Sequence, residues 1–190
     1  MVILFRAVIA NANKETRRKI ILERTRKNKD TIYGAQSIKA QIGIYARPTN
    51  DYDIFTKNPK KSAMEAEKQL DKGIGFNYFY TKPAMHPGTW KVRSRGVDMR
   101  KGTDDDMDII DYSKHSKPKP KTIKINGVNF RNLKGEADAK LKALRDPEYK
   151  FRHEKDADDL GRIRMFQQAN RPKKINLNFK MPKIRFTLGT

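Results

Sequence analysis

The spacing of apolar and polar positions changes several times along the chain, and each change marks an element. In KETRRKIILERTRKNK (14–29) a short apolar cluster, Ile20–Leu22, sits among alternating charges. Pairs four apart, such as Glu15 and Lys19, predict a helix with a mostly wet, basic surface. The preceding MVILFRAVIANANK carries Arg6 inside its apolar run and no basic stretch before it, which argues against a signal peptide. That run is about ten residues long, against the roughly 20 that span a bilayer, so a buried terminal strand or helix turn is expected.

From residue 31 the texture changes. Thr31-Ile32-Tyr33 reads as a strand and Gly34 as a tight turn, and Ala35, Ile38 and Ile42 form one helix face. Arg47-Pro48-Thr49 is expected to end that helix, and Asp51–Phe55 follows as a strand with Ile54 opposite the two acids. KKSAMEAEKQLDKG (60–73) is an amphipathic helix with Gly73 as its stop.

FNYFYTK (76–82) and TWKVRS (89–94) are strand-like, and the loop between them contains Pro83, Pro87 and Gly88, which predicts antiparallel neighbours. MDIIDYS (107–113) is a further strand. TIKINGVNF centres Asn126-Gly127 between alternating residues, a strong hairpin signal. Two helices follow, separated at Pro147, and then a basic stretch, 171–190, expected as an extended tail or a docked strand. The order predicts an α+β fold with a mixed sheet and a helical C-terminal part. Its expected divisions are a basic helical arm (1–30), a central domain (31–170) and the tail (171–190).

Composition narrows the chemistry. The 190 residues include 43 Lys and Arg against 22 Asp and Glu, a formal net charge of +21. Such an excess attracts polyanions, nucleic acid first. There is no cysteine, which excludes disulfides, Cys-based zinc sites and thiol catalysis. His86, His115 and His153 lack metal-ligand spacing. Tyr78, Phe79, Tyr80 and Trp90 could stack bases, but at strand spacing they are expected in the core; Met64, Met85 and Met99 need no special role. A soluble, cytoplasmic protein is expected.

Against this positive background, Asp51 and Asp53 lie one residue apart in an extended segment, so both carboxylates point to the same side. Like charges in that position call for open solvent or a cation. One helix length earlier, Gly34 to Ser37 open a helix, whose free N–H groups and dipole could cradle phosphate, with the Ser37 hydroxyl as a further donor. Mg²⁺ prefers carboxylate and phosphate oxygens, and a two-ion arrangement needs a third carboxylate from a neighbouring strand. In DDDMDIID, Asp111 is the choice and Asp108 the alternate, since a one-residue slip changes the face.

The segment YGAQSIKAQIGIYARPTNDYDIF (33–55) resembles the active-site segment of the polymerase-beta-like nucleotidyltransferase superfamily, in particular its minimal and AbiEii-type toxin branch. The shared features are a glycine turn, a helix, Arg-x-Thr and D-x-D before an apolar strand, carried here by Gly34, Arg47, Thr49, Asp51, Asp53 and Ile54. FRHEKDADDLGRI (151–163) is similar to a K-D-x-x-D-L helix of those domains. Where family members place a second Gly or a Ser after the first Gly, this chain has Ala35-Gln36.

The resemblance covers about residues 31–165. It implies transfer of a nucleoside monophosphate from an NTP to a hydroxyl acceptor, RNA such as tRNA being one candidate, with two Mg²⁺ ions. Asp51, Asp53 and Asp111 would hold metal, and Asp111 would also polarise the acceptor. Gly34 and Ser37 would touch the triphosphate, while Arg47 and Thr49 would position the D-x-D loop, Arg47 reaching phosphate as an alternative. Lys155, Asp156 and Asp159 read as a packing and salt-bridge motif. A second reading keeps the domain without turnover, as a basic nucleic-acid-binding or assembly protein of a virion or other large particle. A third leaves D-x-D as a plain turn.

Overall fold

The computed structural model describes residues 2–96, 98–115 and 118–170, with side chains from Lys14 onward. The chain begins with α1 (Val2–Asn28), then β1 (Thr31–Tyr33), α2 (Gly34–Ile42), a 3₁₀ turn (Gly43–Tyr45), β2 (Tyr52–Thr56) and α3 (Pro59–Ile74). It continues with β3 (Phe79–Pro83), β4 (Trp90–Ser94), β5 (Met107–Lys114), β6 (Thr122–Ile125) and β7 (Val128–Arg131). It ends, among the described residues, with α4 (Leu133–Leu144), a 3₁₀ turn (Pro147–Arg152) and α5 (His153–Ala169). The architecture is α+β, as the pattern predicts. The seven strands form one mixed sheet in the order β3-β4-β5-β2-β1-β7-β6.

Among the described residues, only the β2–β5 and β1–β7 pairs are parallel. One sheet face carries the main core: Ile32, Tyr52, Ile54, Ile110, Tyr112, Val92 and Phe79 pack with Ala63, Ala66 and Leu70 of α3 and Ile21 of α1. Ile54 is fully buried, so the alternation that hides it turns Asp53 to the opposite face. A smaller cluster of Ile38, Ile42 and Ile163 joins α2 to α5 on α4's side of the molecule.

Several boundaries differ from those the pattern predicts. The apolar opening starts α1, one helix of 27 residues, instead of forming a separate strand or turn. That helix docks on the body, because Ile21 and Thr25 are buried and the buried Arg24 guanidinium reaches Glu65 of α3 at 2.7 Å. Helix α2 stops at Ile42 and not at Arg47-Pro48-Thr49, since Gly43 takes φ +58° and a 3₁₀ turn follows. Helix α3 runs past Gly73 to Ile74 and closes on Gly75, a left-handed cap at φ +85° donating to the Asp71 carbonyl.

Gly73 has another duty: a methyl group there would run into Ile20 of α1. Strand β3 begins only at Phe79, where the Asp71 carboxylate holds the N–H groups of Tyr78 and Phe79 at 2.8 Å. Phe79 and Tyr80 are buried, and Tyr78 and Trp90 pack partly against the core. Asn126 and Gly127 take φ +48° and +80° and turn β6 into β7, the expected hairpin. The basic segment 171–190 lies outside the described residues. No helix among the described residues is long and apolar enough to cross a membrane.

Candidate active site

Four neighbouring strands line up one residue each. Tyr33 of β1 is registered with Asp53 of β2, Asp53 with Asp111 of β5, and Asp111 with Lys91 of β4. Parallel pairing of β2 and β5 therefore sets two carboxylates, 58 positions apart in sequence, side by side on the sheet face away from the main core. It is Asp111, not Asp108, that stands opposite Asp53. Asp108 instead engages Lys91 and the Arg93 guanidinium, the latter at 2.7 Å.

Gly34 explains its own identity here. Its φ is +70°, and a Cβ would collide with the Asp53 carboxylate, whose Cγ would lie at 3.3 Å. The first residue of α2 thus lets the carboxylate lie against the backbone. The Gly34 amide donates to the Glu136 carboxylate at 2.9 Å. Ser37 turns away from this helix mouth: it is fully buried, and its hydroxyl donates to the Arg131 carbonyl at 2.6 Å. The hydroxyl donor expected at the mouth is therefore used to tie α2 to β7.

The loop before β2 is tied at two points. Arg47 Nε meets Asp159 of α5 at 3.0 Å, and the Thr49 hydroxyl donates to exposed Asp51 at 2.7 Å. Asp156 and Asp159 are buried, each about 1% exposed, around the Lys140 ammonium at 2.9 and 2.7 Å. Arg152 adds a second contact to Asp156, whereas Lys155 is exposed.

The electrostatics mark the acids out. Burial, reinforced by the charges of Asp51 and Asp111, pushes the Asp53 carboxyl up to about 7. Asp111 is also raised, by burial first, with the neighbouring Lys91 opposing the shift. Burial raises Glu136 to about 7 against the pull of Arg131. Lys91 Nζ stands 3.4 Å from Asp111 Oδ2, while the buried Oδ1 has no hydrogen-bond partner. Beside the acids, Tyr33 and Phe55 stack at 3.8 Å, with the Arg131 guanidinium 5.0 Å from the Phe55 ring.

Could these residues hold a divalent ion? The donors are hard oxygens, Asp111 keeps a buried oxygen without a hydrogen-bond partner, and Asp53 suffers like-charge repulsion that a cation would relieve. The pair fits such an ion. Among the described residues no group of three or more acids, histidines or cysteines is drawn together as a complete metal site. Asp51 is held at the rim by Thr49.

Sequence reasoning missed Glu136, Lys91, Arg131 and Arg152. Each reaches the acids through a strand register or helix packing that has no local motif. The one available hint was the Asn132 cap of α4, whose side chain accepts from Gly135 and sets the helix start just ahead of Glu136.

No known protein-family profile matches the chain, and no curated protein does. Solved structures do. The Megavirus polyadenylate synthase aligns with a TM-score of 0.64 and 16% identity, over 87% of this chain and 35% of that one. JHP933 from Helicobacter pylori aligns with a TM-score of 0.52 and 17% identity, over 78% of this chain and 63% of that one. The chain thus spans about a third of the Megavirus protein and less than two thirds of the Helicobacter protein. At these identities the likeness is one of fold, and the fold is nucleotidyltransferase-like.

Proposed function

We propose that the protein is a Mg²⁺-dependent nucleotidyltransferase moving a nucleoside monophosphate from an NTP to a hydroxyl of a nucleic-acid acceptor, RNA first. The observation that carries this reading is the Asp53–Asp111 pair, registered across parallel strands beside the glycine that opens α2. Asp53 and Asp111 would hold the divalent ions, with Asp51 swinging in from Thr49 as the third carboxylate. When bound, the ions would offset charge on the transferring phosphoryl group and polarise the acceptor hydroxyl.

In the transfer, the acceptor oxygen forms a bond to the α-phosphorus while the α–β bridge bond breaks and pyrophosphate leaves. The acceptor proton passes to the Asp111 carboxylate, whose raised proton affinity suits an acceptor. Arg152, whose charge acts on Asp53, and Arg131, over the Tyr33 ring, would add positive charge where phosphates lie. Within the superfamily, the sequence order Arg47, Thr49, Asp51, Asp53 favours the minimal, AbiEii-type branch.

The test is incubation with labelled NTPs, Mg²⁺ or Mn²⁺ and bulk RNA. Label should appear on RNA and vanish with Asp53→Asn and Asp111→Asn. No label in the wild-type chain would end the catalytic reading.

A second reading draws on a specific observation: the Gly34 amide and the Ser37 hydroxyl are both satisfied inside the fold. A nucleotidyltransferase-like domain kept as a basic nucleic-acid-binding or particle-assembly protein would tolerate that. Nucleic-acid binding that persists in both Asn variants, without any transfer by the wild type, is its signature.

A further inference from the structure

We infer that the groove between the start of α3 and the end of β5 docks a single-stranded nucleic acid, the strand whose terminal hydroxyl is delivered to Asp53 and Asp111. The inference rests on the transferase reading for the strand's role as acceptor. Its support as a binding surface is independent of that reading.

The groove encloses about 570 Å³, and Lys60, Lys61, Lys114, Trp90 and Met64 line it; among the described residues no acidic side chain does. All three lysines are exposed. Lys60 Nζ stands over the Trp90 ring at 5.2 Å, and Lys61 makes only a loose 3.9 Å pair with Glu65. An aromatic ring with ammonium groups around it matches a base stacked between backbone phosphates. An acidic peptide would use the charges but not the ring. A rigid duplex would keep its bases from the ring.

Lys114 lies three residues beyond Asp111 on β5, about 10 Å at the usual rise per residue, with Lys114 on the α3 face of the sheet and Asp111 on the other. A single strand held in the groove would have to pass over the end of β5 to bring its terminus to the acids. On the acids' face of the sheet, Tyr33 donates to Ser113 at 3.3 Å, and Ser113 pairs with Thr89 at 3.1 Å, next in sequence to Trp90.

The chain has one tryptophan, so its fluorescence reports this groove alone. The full chain is titrated, without NTP or divalent metal, with an oligoribonucleotide, a duplex RNA of the same length, and heparin as a polyanion without bases. The single strand should quench Trp90, with the duplex and heparin quenching far less. The combined variant Lys60→Glu, Lys61→Glu, Lys114→Glu should bind the oligonucleotide at least tenfold more weakly. Its log–log salt slope should be shallower by about 2, at roughly 0.7 for each phosphate left without its lysine. Lys114→Glu alone, at an exposed strand end, should weaken binding by a smaller factor with an unchanged circular dichroism spectrum.

Equal quenching by heparin, or wild-type affinity in the combined variant, overturns the inference. If quenching behaves as expected while no label transfer occurs, the docking surface stands and the transferase reading falls. Transfer to RNA at wild-type rate and KM by the combined variant leaves the enzyme and removes the groove.

Discussion

At Asp53 a single carboxyl is placed where the folded chain holds it near 7, against an ordinary 3.8, through burial and the charges of Asp51 and Asp111. The folded state then binds more protons than the unfolded one between those values. The stability contributed by the protonated form is full below 3.8 and is lost as pH rises through about 7. Metal-free Asp53→Asn should therefore melt higher than the wild type at pH 8, by on the order of 1–3 kcal/mol, and match it at pH 4. Scanning calorimetry at the two pH values checks this. Added Mg²⁺ should raise the wild-type melting temperature more at pH 8 than at pH 6, and leave that of Asp53→Asn unmoved. Gly34→Ala attacks the same spot from the backbone, forcing a Cβ onto the carboxylate at φ +70°. It should cost about 1–3 kcal/mol and reduce label transfer at least tenfold; wild-type transfer rates would show that the carboxylate does not need that close approach.

Helices α4 and α5 meet over a buried ionic knot as well as the small apolar cluster around Ile163. Lys140 lies between Asp156 and Asp159, which in turn take Arg152 and Arg47. Through Arg47 the knot reaches the loop that carries Asp51, so helix packing and site geometry share one set of charges. Lys140→Met should leave two buried carboxylates short of a cation and cost about 3–5 kcal/mol in urea unfolding. A loss under about 1 kcal/mol would mean the remaining arginines suffice. The helix carrying the two aspartates was visible in the sequence as a K-D-x-x-D-L pattern, and so was its salt-bridge character. Its partner Lys140 was not, because nothing within α4 distinguishes a lysine that turns inward from Lys134 or Lys142, which are exposed.

Taken whole, the molecule is a mixed sheet with helices α1 and α3 covering one face and two carboxylates on the other, in a chain of net charge +21. That charge predicts nucleic-acid affinity that falls steeply as salt rises. The log–log slope should survive Asp53→Asn and Asp111→Asn, since neither removes a cation. Filter binding from 50 to 200 mM salt measures it, and a flat response would remove the polyanionic partner from both functional readings. The strand and helix order, the Asn126-Gly127 hairpin and the candidate acids Asp51, Asp53 and Asp111 were all legible along the chain. Each rests on period, turn chemistry or near-neighbour spacing, which act over a few residues. Pairing Asp53 with Asp111 and not Asp108, turning Ser37 inward, and bringing Glu136 and Lys91 to the site came from β2–β5 register and from α4 packing. Those contacts join segments dozens of residues apart, and only the closing of one shared core and one hydrogen-bonded sheet selects among the registers that local pattern permits.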